Sequence, residues 1–479
     1  MRTKNIQDTQ LDFLVSAMSH GNFQTTDQIL SWMKSQNEEV VSNIRQIPIS
    51  ELRGWSYRDD RIRHKSGKFF SIDGIHIRTN YRNTPEWDQP IINQPEIGFL
   101  GFIVKKFNGV LHFLLQAKIE PGNLNIVQLS PTLQATRSNY TRVHGGKAPT
   151  YLEYFNGEKD VLILVDQLQS EQGARFLHKR NRNIIVEVGE DEELEVKEGY
   201  IWASLGQIKE LLRYPNVVNM DSRTVISCIN FGSYSEHSLR LLDAVKRMNG
   251  IHSSKPDSFL YSVLSGDNHL NELQDIIQWI TSLKFKYELD VTPVGISEMK
   301  NWIYDGNTIH HESGKYFDVM GCRVEIGNRE VVSWDQPMVR SAQEGLMGFI
   351  VKKINGIYHF LVQAKLESGN FDIVEMAPTV QCLTGNYRKG KNEYTIPYLE
   401  QILNAPKDKI WYSSYQSEEG GRFFQEQNLN IIVEVGEEFP IEVEENYCWL
   451  TLNQMLSFVT YNNYLNIAAR SLLSAISFY

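Results

Sequence analysis

The chain has 479 residues, and 48 Lys+Arg against 58 Asp+Glu give a formal net charge of −10. Hydrophobic residues at 41% and charged residues at 22% match a globular protein, while 15 Pro and 32 Gly are too few for low complexity. These values exclude a collagen, a disordered tail and a basic nucleic-acid binder, and the acidic balance repels long polyanions unless a pocket reverses the field locally. The N-terminus, MRTKNIQDTQLDFL, lacks the apolar stretch of a signal peptide. No apolar run approaches the roughly 20 residues that span a bilayer. Four scattered cysteines, Cys228, Cys322, Cys382 and Cys448, fit buried thiols in a cytoplasmic protein and have no zinc-ligand spacing.

Length alone suggests about three domains, but the chain aligns with itself. Gly98-Phe-Leu-Gly-Phe-Ile-Val-Lys-Lys106 reads against Gly345-Leu-Met-Gly-Phe-Ile-Val-Lys-Lys353, an offset of 247 residues. The same offset pairs Trp32 with Trp279, Trp55 with Trp302, Trp87 with Trp334, His112 with His359, Arg175 with Arg422, Trp202 with Trp449 and Arg223 with Arg470. From residue 98 to 123, 18 of 26 positions equal their partners. The chain therefore divides into a module at 1–231, a linker at 232–256 with Gly, Ser and Pro, and a second module at 257–479.

Each module reads as α+β, a mixed sheet flanked by helices. In the first, spaced apolar residues ending in Gln28–Val41 predict a helix, as does Asn271–Leu283 in the second. Leu100–Phe107 and Val110–Ala117 flank Asn108-Gly109, a two-residue hairpin signal repeated at Asn355-Gly356. Leu124–Leu129, Val161–Val165 and Asn183–Val188 predict strands, and Trp202–Leu212 and its partner Trp449–Phe458 predict closing helices. Trp87-Asp-Gln-Pro90, repeated as Trp334-Asp-Gln-Pro337, reads as a structural turn more readily than a ligand contact. His112 and His359 sit in apolar strands and read as structural. Glu190–Glu198 reads as a solvated acidic face.

The densest polar stretch runs Gln116-Ala-Lys-Ile-Glu120-Pro-Gly-Asn123, then Leu129-Ser-Pro-Thr-Leu-Gln-Ala-Thr136, then Ser138-Asn-Tyr-Thr-Arg-Val-His144. On these motifs, and over nearly its whole length, the chain resembles the NDP-hexose 2,3-dehydratase family. The resemblance implies two tandem Nudix-like modules, a homodimer, and loss of water across C2 and C3 of dTDP-4-keto-6-deoxyglucose. The labile product implies coupling to a 3-ketoreductase. Such an elimination requires a base, an acid and donors for an enolate, with no redox cofactor and no metal. The acidic runs Glu187–Glu195 and Glu434–Glu445 lack the Arg-Glu core of the Nudix metal box, so the implied fold does not bring Mg²⁺-dependent hydrolysis with it.

The copies diverge at Ser138–His144, which faces Gly385–Lys391, and His144 has no counterpart. That divergence points to a catalytic pocket in the first module and an auxiliary pocket in the second, although the reverse assignment stays open. Tyr140, His144, Arg142, Lys118 and Glu120 are the candidate catalytic residues. For Lys118 and Glu120, repeated as Lys365 and Glu367, an ion pair bracing the sheet serves at least as well; for Tyr140, so does plain ligand binding. The resemblance places sugar-nucleotide contacts on Trp55, on Ser138, Asn139, Tyr140, Thr141 and Arg142, and on Ser170. In the second module they fall on Trp302, Lys365, Leu366, Glu367, Leu383, Thr384, Ser414, Tyr415, Gln416 and Ser417. Arg175 and Arg422 could brace the Ser170 and Ser417 loops. Two other readings stay open: a Nudix-like sugar-nucleotide hydrolase, and a sugar-nucleotide binding protein without catalysis.

Overall fold

The computed structural model describes residues 2–3, 5–21, 23–82, 84–136, 148–248, 257–326, 333–383 and 395–478. The helices expected at the start of each half are present, at Thr26–Glu38 and Leu273–Lys286. The first begins at a capping box in which the Thr25 side chain and Gln28 satisfy each other's backbone donors. The Asn-Gly hairpins join Phe99–Phe107 to Val110–Ile119 and Gly345–Ile354 to Ile357–Lys365. Asn108 and Gly109 have φ of 51° and 78°, Asn355 and Gly356 of 52° and 85°. Positive φ at both central residues is what a two-residue turn with the strands' own twist requires.

Several elements depart from expectation. Trp202 lies in a strand, Tyr200–Ser204, and the helix starts only at Leu205–Leu211. Ser204 and Gln207 form a capping box there, which fixes the boundary. Trp449 repeats this, in the strand Tyr447–Thr451 ahead of Leu452–Val459. The predicted strand at Leu124 begins only at Val127–Ser130. Trp87-Asp-Gln-Pro90 is strand, within Glu86–Asn93, and so is its repeat, within Ser333–Ser341. The segment between the halves carries a helix, Glu236–Met248. No helix of the described residues is long and apolar enough to cross a membrane.

Each half builds a large mixed sheet and contributes to a five-stranded antiparallel one. In the first half, Phe99–Phe107 runs parallel to Arg180–Glu187 and antiparallel to Val110–Ile119; Gly345–Ile354 stands in the same relation to Gln427–Glu434 and Ile357–Lys365. The five-stranded sheets exchange a strand. Ser42–Ile47 pairs with Phe317–Ile326 of the second half, Gln46 opposite Cys322. Leu289–Val294, its counterpart by the 247-residue offset, pairs with Ser71–Thr79 of the first, Pro293 opposite Ile75. Pro293 is tolerated because this strand lies at the sheet edge, where a missing N–H leaves no ladder bond unmade.

The exchange is locked by reciprocal contacts. Trp55 Nε1 donates to Asp335 O at 2.7 Å, and Trp302 Nε1 to Asp88 O at 2.6 Å. The Asp335 carboxylate accepts from Arg53 N at 2.8 Å, the Asp88 carboxylate from Lys300 N at 2.6 Å. The aspartates of the repeated Trp-Asp-Gln-Pro motif thus anchor the opposite half. Gly122 N donates to Gly420 O and Gly369 N to Gly173 O, both at 2.7 Å. A Cβ at Gly122 would fall 1.6 Å from Phe423 O, and one at Gly369 would fall 1.9 Å from Phe176 O, so backbone approach between halves demands glycine at both positions. The main apolar core crosses the boundary too, taking in Phe102, Phe113 and Ile185 with Phe349, Phe360 and Leu472. A second core joins Trp55, Ile72 and Phe176 to Trp302, Val319 and Phe423.

Candidate active site

The strand Val110–Ile119 alternates its side chains and brings Gln116 and Lys118 to one face, with Glu120 just beyond its end. Lys118 Nζ donates to Gln134 O at 3.3 Å and lies 4.0 Å from Glu120 Oε1. Glu120 Oε1 accepts from Gln134 Nε2 at 2.9 Å. Gln134 Oε1 in turn accepts from Asn219 Nδ2 at 3.2 Å. Asn219 is also the N-cap of the helix Met220–Ser227, where its side chain accepts from Ser222 N. Glu120 is 5% exposed, and its Oε2 is buried with no hydrogen-bond partner among the described residues.

The second half repeats this network. Lys365 Nζ donates to Gln381 O at 2.9 Å, Gln381 Nε2 to Glu367 Oε1 at 2.9 Å, and Asn466 Nδ2 to Gln381 Oε1 at 2.9 Å. Glu367 Oε2 is likewise buried without a partner among the described residues. Burial pulls the Lys365 ammonium down to about 8 against the opposing pull of Glu367. The polar motifs that repeat between the halves therefore hold a carboxylate and a lysine in fixed positions. Ser130 and Thr132 of the same stretch serve the scaffold: Ser130 Oγ donates to Gln116 O at 3.3 Å, and Thr132 Oγ1 to Leu114 O at 2.5 Å.

Both networks are completed from the opposite half. Gly420 and Gly421 pack on Glu120, close enough that a Cβ on Gly421 would sit 3.5 Å from Glu120 Oε1 and 2.9 Å from Glu419 Oε1. Arg422 follows, its guanidinium 4.2 Å from the centre of the Phe70 ring and its Nε donating to Gln94 Oε1 at 3.2 Å. Arg175 takes the matching ring contact in reverse, 3.9 Å from the Phe317 ring, but its Nε has no hydrogen-bond partner among the described residues. These arginines thus lie over rings of the opposite half. Phe70 and Phe317 touch Trp55 and Trp302, with centroids 4.8 and 4.9 Å apart. Trp55 and Trp302 are buried at this interface, and each indole N–H is taken by the other half.

Ser170 is buried, its Oγ donating to Glu375 Oε2 at 3.1 Å and its carbonyl accepting from Arg470. Ser417 mirrors it, with Gln128 Oε1 as acceptor at 2.9 Å and Arg223 on its carbonyl. Ser414, Tyr415 and Gln416 share the strand Ile410–Ser417. Gln416 is buried and donates to Leu212 O at 2.8 Å, while Tyr415 O accepts from Asn216 N at 3.1 Å. Leu366 is buried in the main core, and Leu383 ends the strand Val380–Leu383. Ser138, Asn139, Tyr140, Thr141, Arg142, His144 and Thr384 lie outside the described residues. His112 and His359 are buried in their strands, and burial draws the His359 imidazole down to about 4.

The sequence reading missed several buried acids around these networks. Asp221, Glu171 and Glu419 gather near Glu120, and burial together with their mutual repulsion pushes Glu419 up to about 7 and Asp221 well above the usual carboxylate range. Glu375 is raised to about 7 and Glu418 to about 8, by burial first and then by neighbouring acids. Repeat comparison held a usable signal: Ala468 stands opposite Asp221, and Gln128 opposite Glu375.

A duplicated α+β chain with a buried lysine–carboxylate network in each half fits an enzyme that moves protons on a polar substrate. The profile of NDP-hexose 2,3-dehydratases matches residues 26–229 and again residues 273–476, the same 247-residue spacing. The chain belongs to the NDP-hexose 2,3-dehydratase family. It is 40% identical over 476 residues to a dTDP-4-dehydro-6-deoxy-α-D-glucopyranose 2,3-dehydratase of Saccharopolyspora spinosa, covering 97% of this chain and 94% of that one. Proteins of the same name from Amycolatopsis orientalis and Streptomyces violaceoruber are 36% and 38% identical, with 93% and 96% of their lengths covered.

Proposed function

We propose that the protein removes water from dTDP-4-keto-6-deoxy-D-glucose. The single observation behind this reading is the full-length likeness to three dehydratases of that name, extending through both halves. The C4 ketone acidifies the C3 hydrogen. A base takes that proton, the electron pair is held as the C3–C4 enolate, and its collapse expels the C2 hydroxyl, which leaves as water after taking a proton. The product is the 2-enos-4-ulose, which tautomerises to a 2-deoxy-3,4-diketo sugar.

In this reading Glu120, with one oxygen uncommitted among the described residues, is placed to accept a proton, and Lys118 beside it supplies a positive charge for a developing oxyanion. Tyr140, Arg142 and His144 stay catalytic candidates on the sequence alone, and in this reading the second half keeps an auxiliary pocket around Lys365 and Glu367. We read each half as a Nudix-like module, the protein as a cytoplasmic homodimer, and a 3-ketoreductase as the consumer of the labile product.

The test incubates the purified protein with the keto-sugar nucleotide and EDTA, with a 3-ketoreductase and NADPH as trap. A trapped sugar that has lost one water and gained two hydrogens, one oxygen fewer than the keto-sugar, supports the reading. Recovery of the intact keto-sugar, or of a reduced sugar that keeps every oxygen, overturns it.

A further inference from the structure

The turn at 80–82 follows Ser71–Thr79, the first-half strand that receives Leu289–Val294 from the second half. The exchange sets this turn against the second half, and hydrogen bonds pin it there. Asn80 Nδ2 donates to Lys286 O at 3.1 Å, and Asn80 Oδ1 accepts from Glu288 N at 2.9 Å. Tyr81 is buried, and its hydroxyl donates to Ala364 O at 2.9 Å. Arg82 Nη2 donates to Gln363 Oε1 at 2.9 Å. Arg82 holds a φ of 60°, a left-handed conformation unfavourable for any residue with a Cβ, and these bonds keep it there. Gln363 and Lys365 stand two residues apart on Ile357–Lys365, so their side chains leave the strand on one face. Arg82 thus arrives beside Lys365, the cation of the second-half network. The repeat retains this arginine in isolation: from residue 75 to 86, Arg82, with Arg329 as its counterpart, is the one position that keeps its residue. Arg329 lies outside the described residues.

We propose that Arg82 of the first half and Lys365 of the second together form an anion site in the second-half pocket, and that this site holds the diphosphate of a nucleotide sugar. This rests on the dehydratase reading above. Neither cation has an ion-pair partner among the described residues, whereas Lys118 lies 4.0 Å from Glu120. The Lys365 ammonium donates to Gln381 O, and Glu367 is occupied through Oε1 by Gln381 Nε2. Two cations side by side without a counter-ion repel each other, and an anion between them removes that repulsion. The strain is felt at Lys365: burial draws its ammonium down to about 8, Glu367 opposes the fall and Arg82 adds to it. Arg82 is exposed and Lys365 half-buried, so a ligand reaches both from solvent. With Nη2 on Gln363, the guanidinium has further N–H groups to offer a phosphate as a fork, and Lys365 supplies a point charge. The substrate class of the dehydratase reading carries one such anion, a diphosphate, whose two phosphoryl groups match two cations.

The test uses the full chain as wild type, Arg82→Gln and Arg82→Lys. Binding of dTDP is measured by calorimetry, with inorganic pyrophosphate as a second probe, and thermal melting is followed with and without dTDP. Arg82→Gln is expected to lose at least about tenfold in dTDP affinity at one class of site, the worth of a hydrogen bond to a charged group. Its melting without ligand is expected to stay that of the wild type. Arg82→Lys, which keeps the charge and loses the fork, is expected to recover part of the affinity. Unchanged dTDP affinity and stoichiometry in Arg82→Gln overturn the proposal. An Arg82→Gln protein that melts early without ligand, with Arg82→Lys binding no better, makes Arg82 a brace for the turn and overturns it as well. Pyrophosphate bound as tightly as dTDP assigns the site to a free anion and has the same consequence. A wild-type protein that forms no dehydrated sugar instead overturns the dehydratase reading itself.

Discussion

Phe176 and Phe423 hold the same position in the two copies of the repeat, and they meet each other, ring centroids 5.9 Å apart and tilted by 71°. A residue touches its own counterpart only on an axis that relates the copies. Around that axis lie the exchanged strands, the crossed tryptophan bonds, and the pair Arg223 and Arg470, each donating to a serine carbonyl of the other half. The duplicated chain is an internal dimer with its two halves interlocked.

Interlocking predicts a single unfolding event. Urea denaturation followed by tryptophan fluorescence and by far-UV circular dichroism should give coincident transitions. Phe176→Ala should lower stability by about 3–5 kcal/mol within that one transition. Two separated transitions would show that the halves stand alone.

Asp335 carries a second prediction. Burial opposes its charge, yet hydrogen bonds from Arg323 and Arg53 outweigh that and hold the carboxyl far below the usual range. A depressed carboxylate stabilises the fold above its unfolded pKa of about 3.9, and the contribution is lost as pH falls below that. Asp335→Asn should cost about 2–3 kcal/mol at pH 7, less than a fully buried pair because Arg53 is more than half exposed. The gap between variant and wild type should narrow toward pH 3 in denaturant titrations.

Glu375 is the opposite case, raised to about 7 first by burial and then by Glu367. A carboxyl raised in the fold stabilises most when protonated, and that contribution is lost as pH rises from about 4 through 7. Glu375→Gln puts at this position the residue that its counterpart Gln128 already is, with an oxygen able to accept from Ser170 as Gln128 accepts from Ser417. The variant should be the more stable protein at pH 8, with little difference at pH 4. A wild type that gains stability from pH 5 to 8 relative to Glu375→Gln contradicts this.

Lys209 reaches from the first half to Ser474 O at 3.0 Å and Ile476 O at 2.7 Å near the end of the second. Burial brings its ammonium down to about 7. A lysine depressed in the fold is penalised while charged, so its contribution to stability improves as pH rises from about 7 toward 10. Lys209→Met should remove that rise, seen as a flatter stability curve between pH 7 and 10, even though two carbonyls lose their donor. An unchanged slope would assign the pH dependence elsewhere.

Local signals made much of the fold legible. Asn-Gly at 108–109 and 355–356 fixed two hairpins, because few residue pairs accept positive φ twice in succession. Spaced apolar residues located Thr26–Glu38 and Leu273–Lys286. The boundary at Trp202 was misread because an apolar run does not distinguish a buried strand from a helix, and the cap at Ser204 decides it. At the site, Lys118 and Glu120 were legible from the repeated polar motif, and the structure joins them through Gln134. Asp221 and Glu419 were not, because they lie almost 200 residues apart and no local pattern links the two.

The sequence by itself determined the duplication, the α+β character, the hairpins, and the family, since each is written in local pattern or in direct self-similarity. Only the tertiary structure decided which strand pairs with which half. Ser42–Ile47 and Leu289–Val294 are equivalent strands, and a strand's backbone donors and acceptors carry no mark of the partner they will meet. That choice falls to the packing of Trp55, Trp302, Phe176 and Phe423 across the axis. The same packing brings Glu419 of one half to Glu120 of the other, so the pocket's charge is a property of the assembled pair of halves.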